Sequence, residues 1–317
     1  MRKIIVLIAL ALAATAQAQQ WPTKPVRVIV NVAPGGVADV TARVLGARLT
    51  ETLGQPFVIE NRAGGDGYIG FEAVARAEPD GYTLVYAPGS TMMIAPHIVR
   101  RADLDPLKAL TPVVPTGRVS LYLMVHPDFK AGNVAEFLAH ARANPGKLNY
   151  GTPGNGTSPH IATEVFAREA KVKFNHIPYK GAGPALKDLL GGVIDFALDP
   201  GIGLPQVKAG KLRLLAVAGG TRHSDFADIP TLADAGVQGV DGGPHFGIYA
   251  PSGTPREAIE RLNREVIKLM QEPVVRDRFK VLAVDLAEPM TPAAFAAYVR
   301  AEHERYGKLL PALGIAQ

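Results

Sequence analysis

Three apolar strands of this chain each end in a short loop of glycine, proline and small hydroxyl residues, and this recurrence limits the fold more than any other feature. Val26–Val32 is a β-branched run that stops at Pro34-Gly35-Gly36. Thr83–Tyr86 stops at Ala87-Pro88-Gly89-Ser90, and Leu148–Tyr150 leads into Gly151-Thr152-Pro153-Gly154-Asn155-Gly156-Thr157-Ser158. After the first loop, apolar residues at 37, 40, 44, 45, 49 and 53 keep helical spacing, and Gly54 predicts the helix end. Phe57–Glu60 reads as a second strand and Tyr68–Ala77 as a short helix that stops before Pro79-Asp80-Gly81. Alternating strand, loop and helix is the grammar of a mainly parallel sheet flanked by helices, so the fold class is α/β.

The middle of the chain repeats the pattern. Leu121–Val125 reads as a strand, and Asn133 with Glu136 has capping-box spacing before a helix to about Ala143. Ser158-Pro159 predicts an N-cap and a first-turn proline. Strands are expected at His176–Pro178, Asp195–Leu198, Leu212–Val217 and Phe246–Ala250. Thr254-Pro255-Arg256-Glu257 predicts a second capping box, opening a helix to about Gln271, and Thr291-Pro292 opens a last helix to about Leu310. A chain of 317 residues has room for two domains and ample core. No solenoid period recurs along it.

The first residues carry a compartment signal. Arg2 and Lys3 precede an apolar run from Ile4 to Ala14, and Ala16-Gln17-Ala18 supplies small residues where a signal peptidase cuts. The run is shorter than the ~20 residues that span a bilayer. Residues 1–18 therefore read as a cleaved signal peptide, and the mature chain as a soluble protein exported to the periplasm. Lys plus Arg number 34 against 29 Asp plus Glu, and losing Arg2 and Lys3 lowers the net charge from +5 to +3. That balance is too mild for a nucleic-acid surface, so no nucleic-acid partner is expected. Cysteine is absent, which removes disulfides, thiol catalysis and cysteine-based metal sites. The eight histidines include no H-E-x-x-H motif. Neither G-x-S-x-G nor S-x-x-K occurs, so hydrolase nucleophiles are not visible. No cofactor is expected.

The strand-end loops are the binding candidates. Open α/β sheets bind ligands beyond the carboxyl ends of their strands, where backbone N–H groups and helix N-termini favour an anion. The first loop contributes Pro34, Gly35, Gly36, Val37 and Asp39, with Asp39 placed to accept from an ammonium or to orient the loop. The loop at 87–90 contributes Pro88, Gly89 and Ser90. Thr152, Pro153, Gly154, Asn155, Gly156, Thr157 and Ser158 form a loop denser in hydrogen-bonding groups than a turn requires. Tyr68, Tyr179, Lys180 and Asp199 complete the candidate set; Lys180 stands between a strand end and a glycine. His160 reads as a packed or surface histidine just inside a helix start, and His303 as part of a solvated helix face.

A series of motifs carries a resemblance. In chain order they are the signal peptide, Trp21-Pro22 with Lys24-Pro25-Val26, Pro34-Gly35-Gly36 with Asp39, Glu60-Asn61-Arg62 and Pro79-Asp80-Gly81-Tyr82-Thr83-Leu84. After them come Pro178-Tyr179-Lys180-Gly181, Asp188-Leu189-Leu190-Gly191-Gly192, Gly210-Lys211-Leu212-Arg213, Pro230-Thr231-Leu232, and Ala250-Pro251 with Gly253-Thr254-Pro255. Over nearly the whole mature length, the chain resembles the extracytoplasmic solute receptors of tripartite tricarboxylate transporters, the Bug family.

The resemblance implies a two-lobed periplasmic-binding-protein type II fold, each lobe a mainly parallel sheet flanked by helices. Lobe 1 would comprise 19–124 and 248–317 and lobe 2 125–247, with crossovers near 122–126 and 245–248. It implies a monomeric receptor, not an enzyme, that delivers a small organic anion to a permease of one large and one small membrane subunit. The carboxylate would lie between Pro34–Asp39 and Thr152–Ser158, held by backbone groups and waters, with Ala87–Thr91 and the stretch around Asp199 lining the rest. Three positions depart from the family pattern. His245 and Tyr306 stand where tryptophan is usual, and Tyr68 replaces a small residue or asparagine; Tyr68 and His245 are both expected to reach the cleft. Two other classes stay open. One is an exported enzyme using Asp199, His160 or Lys180 as acid–base groups; the other is a receptor that presents its ligand to a membrane sensor.

Overall fold

The computed structural model describes residues 20–64, 67–98, 104–219, 222–243 and 245–315. The expected signal peptide lies outside the described residues. In chain order, β1 (Val26–Val30), β2 (Phe57–Asn61), β3 (Thr83–Ala87) and β4 (Leu110–Val119) belong to a first sheet. The strands β5 (Leu121–Val125), β6 (Asn149–Thr152), β7 (Asn175–Pro178), β8 (Phe196–Asp199) and β9 (Arg213–Ala218) form a second. The chain then returns to the first with β10 (Phe246–Pro251) and β11 (Val284–Leu286). The passage between sheets is the single residue Ser120, ahead of the expected 122–126, because Leu121–Val125 already pairs wholly within the second sheet.

Each sheet is mixed rather than mainly parallel. The first runs β11-β4-β10-β3-β1-β2, and the second β7-β6-β8-β5-β9. Parallel pairing is confined to β1 with β2 and β3, and to β6 with β7 and β8. The strands on which the chain changes sheet, β5 and β10, run antiparallel to their neighbours. A strand entering from the other lobe is not fed by a helical crossover, so the rule that makes βαβ neighbours parallel does not govern it.

The helices are α1 (Val37–Leu53), α2 (Tyr68–Ala75), α3 (Val134–Ala143), α4 (Ser158–Ala170), α5 (Ala182–Leu190), α6 (Arg256–Gln271), α7 (Pro273–Val281) and α8 (Pro292–Ala312), with shorter turns between. Helix α1 buries Ala38, Ala42, Leu45 and Leu49 against the first sheet and stops at Gly54, as its spacing predicts. Asn133 caps α3 by accepting from the Glu136 amide at 2.9 Å, while Gly132 donates to the Glu136 carboxylate. Thr291 caps α8 through the Ala294 amide. The box expected at Thr254 does not form: Thr254 Oγ1 donates to the Pro251 carbonyl, and Pro255 stands at the N-cap. In α4 the N-cap is Thr157, with Ser158 and Pro159 already in the first turn.

Strand β4 carries no pattern a sequence reader would select. Pro112 and Pro115 lack ladder donors, yet both pair with β10, whose register shifts at two places to accept them. His303 is half-buried rather than on a fully solvated face: its ring lies tilted 4.1 Å from His97, linking α8 to the segment after β3. The second sheet is backed by an aromatic core, with Phe196 5.0 Å from Phe137 and 4.7 Å from Phe174. Among the described residues no helix is long and apolar enough to cross a membrane.

Candidate ligand-binding site

The carboxyl ends of β1 and β6 feed the two helix starts the sequence singled out. At α1, Gly36 is the N-cap, extended at φ −72° and ψ 163°, and offers no side chain. The first-turn amides of Val37, Ala38 and Asp39 therefore have no intrahelical acceptor and no cap. Gly35, which sits at φ 82°, turns its own N–H inward to Asp39 Oδ2 at 2.9 Å. That amide is thus an anchor of the loop and not one of its free donors. Asp39 Oδ1 accepts from Asn61 at 2.9 Å and pairs with Arg43 at 2.9 Å. Burial pushes the Asp39 carboxyl up, but the Gly35 amide, Arg43 and Asn61 outweigh it and hold it below the ordinary value. Its negative charge is therefore matched before any ligand arrives.

The second helix start is built alike. Thr157 is the N-cap of α4, at φ −74° and ψ 157°, and its Oγ1 donates back to the Gly154 carbonyl at 2.7 Å without capping the helix. Gly156 turns its N–H inward to His160 Nδ1 at 3.2 Å. Among the described residues, the amides of Asn155, Thr157 and Ser158 have no acceptor within the protein. Thr152 is fully buried, and its Oγ1 lies 2.6 Å from His176 Nε2. His176 stacks on His160 at 4.2 Å and on Tyr150 at 4.8 Å. Burial holds both imidazoles neutral, at about 4 for His176 and about 3 for His160, where the neighbouring ring adds to the effect.

The two loops meet through a third helix start. Gly181, the N-cap of α5, donates to the Pro153 carbonyl at 2.9 Å. A Cβ built on Gly181 would lie 3.4 Å from the Ala33 Cβ of the other lobe, and φ 120° bars most side chains in any case. One built on Gly156 would lie 3.2 Å from Ile98. The lobes are therefore in contact across the gap, with the N-termini of α1, α4 and α5 brought together at their meeting line. The positive ends of three helices favour an anion there.

The remaining expected residues have other surroundings. Pro34 is exposed at the loop tip, while Pro88 and Gly89 precede a single helical turn in which Ser90 is buried. Thr91 accepts from Asn31 at 2.8 Å, and Asn31 Oδ1 is buried without a partner. Tyr68 is 2% exposed, with its ring 5.7 Å from Phe71. The His245 ring sits edge-on to Tyr298 at 5.1 Å. Tyr306 is buried. The Tyr179 hydroxyl donates to Asp188 at 2.7 Å, and Lys180 is exposed. Asp199 is buried and accepts from Gly201 and Gly203 at 2.7 and 2.9 Å. Burial raises its carboxyl to about 6 despite the amides of Gly203, Gly201 and Ile202. Of the acid–base candidates, His160 and Asp199 thus have separate partners and Lys180 is exposed, and no bond joins the three among the described residues. Sequence reading missed Asn31, Ala33, Asn61, His176 and Gly181. Asn61 and Gly181 stood inside motifs already singled out; Asn31, Ala33 and His176 carry no local signal.

Comparison with known proteins agrees with this geometry. A family model described as the tripartite tricarboxylate transporter family receptor, TctC, matches residues 41–315. Protein BugT of Bordetella pertussis is 34% identical, covering 96% of this chain and 93% of its own length. A Rhodopseudomonas palustris protein solved with adipate superposes with a TM-score of 0.89 at 33% identity, over 94% of this chain and 99% of its own. The periplasmic binding protein BugD superposes with a TM-score of 0.87 at 29% identity, over 93% and 99%.

Proposed function

This chain belongs to the tripartite tricarboxylate transporter receptor family, TctC, and from that premise we propose that it captures a small organic carboxylate between its lobes for delivery to a membrane permease. The observation that carries the proposal is the pair of matched helix starts, one per lobe, each with uncapped amides at the line where the lobes touch. The ligand carboxylate is held by the amides of Val37, Ala38 and Asp39 on one side and of Asn155, Thr157 and Ser158 on the other. Bridging waters and the Ala87–Thr91 stretch complete the grip. A hydrogen bond to a charged group contributes about 1.5–3 kcal/mol, so a few suffice for micromolar binding after the cost of association. Lobe contact excludes water and strengthens each bond. Because the grip is made of amides, reopening the lobes returns them to water and releases the cargo.

The relative solved with adipate supports a ligand of the dicarboxylate class. In this reading the chain is exported, cut after Ala18, and works as a periplasmic monomer. Its two lobes divide at Ser120 and again ahead of Phe246, and its permease has one large and one small subunit. A thermal-shift screen of mono- and dicarboxylates, amino acids and aromatic acids tests the proposal, followed by titration calorimetry with adipate. A ligand at 100 times its Kd stabilises by about 2.7 kcal/mol. If no acid in the screen raises the melting temperature, and no small acid co-purifies by mass spectrometry, the proposal fails.

A further inference from the structure

The two helix starts match atom for atom in their architecture but differ in charge. In lobe 1 the order is a glycine at φ 82°, an extended N-cap, two residues, then Asp39, whose side chain accepts the glycine amide. In lobe 2 it is a glycine at φ 70°, an extended N-cap, two residues, then His160, whose Nδ1 accepts the glycine amide. Each arrangement resembles a capping box in which the third helical residue reaches back before the N-cap. Asp39 needs Arg43 and Asn61 to balance its charge. Among the described residues no charged group is bonded to His160. Its neighbours are His176, then Tyr150 beyond it, whose hydroxyl donates to Glu164.

We propose that His160 is the lobe 2 counterpart of Asp39, a positioning residue that fixes the 152–158 loop by supplying an acceptor without a negative charge. The inward pull on the Gly156 amide sets the alternation that leaves Asn155, Thr157 and Ser158 pointing outward. A carboxylate at this position would anchor Gly156 equally well, but it would lie uncompensated beneath the anion site and repel the ligand. His176 locks the arrangement from the other end, by stacking on His160 and binding Thr152. Its ring keeps His160 from rotating away. The neutrality of both rings follows from their burial. This inference rests on reading the 152–158 loop as half of the carboxylate grip.

Three variants separate acceptor from charge: His160→Asn keeps a neutral acceptor near Nδ1, His160→Asp keeps the acceptor and adds charge, and His160→Leu removes the acceptor. Gly156 amide exchange, read by NMR without ligand, reports the anchor, and titration with adipate reports the site. Gly156 should stay protected in His160→Asn and His160→Asp and exchange at least tenfold faster in His160→Leu. Adipate should bind His160→Asn within about threefold of the parent and bind the other two at least tenfold more weakly. Equal Gly156 protection in all three, or equal adipate affinity in His160→Asn and His160→Asp, overturns the inference. If the parent binds no adipate, the same comparison is made with the acid the thermal-shift screen selects; if no acid binds, the ligand reading fails while the Gly156 measurement still decides the anchor. Should a variant not fold, the parent alone suffices: its His160 must show an unprotonated Nδ1 coupled through the hydrogen bond to the Gly156 nitrogen, and a proton on Nδ1 refutes the proposal.

Discussion

Acid should unfold this protein partly through His160, and the share is calculable. In the unfolded chain the imidazole titrates near 6.5; in the folded protein burial, and then His176, depress it to about 3. As the pH falls below 6.5 the unfolded chain takes up a proton that the folded one refuses. The contribution of His160 to stability is complete above 6.5 and is lost progressively toward pH 3. One such proton is worth about 1.4 kcal/mol per pH unit, so the loss between pH 6.5 and 4.5 is about 2–3 kcal/mol. His176 and His245, both depressed to about 4, act in the same direction. Asp199 opposes them, because its folded value of about 6 lies above its unfolded one, and its contribution is lost as the pH rises through 6. Those groups are common to the parent and to His160→Asn, so the difference between the two isolates His160. Urea unfolding at pH 7.5, 6.5, 5.5 and 4.5 should show the stability gap shifting toward the variant by about 2–3 kcal/mol across the range. Parallel stability curves, with a constant gap, would mean that the ring is solvated in the folded protein, and the reasoning about the buried stack would be wrong.

Gly36→Val should abolish binding of whichever acid the thermal-shift screen selects, with little change in unliganded stability; Gly36 has an ordinary φ of −72°, and a Cβ there meets the Ala33 carbonyl at 3.5 Å and Val32 at 3.9 Å. Unchanged affinity by calorimetry would move the site elsewhere. Arg43→Ala should leave the fold intact and weaken binding, because Asp39 then faces the anion with its charge unmatched; an affinity equal to the parent at low salt refutes this. Ala33→Leu should hold the lobes apart at Gly181, raising the radius of gyration relative to the parent in the presence of the acid the screen selects; identical small-angle scattering curves would show that this contact does not limit closure.

The legible part of the fold was whatever chemistry acts locally. Gly54 stops α1 because only glycine enters the left-handed turn cheaply, and Asn133 with Glu136 starts α3 through bonds spanning three residues. The loops at 34–39 and 152–158 could be found because helix starts leave amides free whatever surrounds them. Strand β4 could not be found, since its two prolines are tolerated only by the bulged partner β10, more than a hundred residues away. The surroundings of Tyr68 and His245 could not be read for a related reason: what an aromatic ring packs against depends on which neighbour arrives, here Phe71 and Tyr298.

The order of residues alone determined that this chain is α/β, that its strands end in bare-amide loops, and that helices begin there, because backbone conformation and capping are settled within a few residues. Only the folded molecule decided that the two loops face each other, that Gly181 joins them, and that His176 lies under His160. Those facts depend on sheet pairings between distant segments, and periodicity specifies which face of a segment is buried without saying against what.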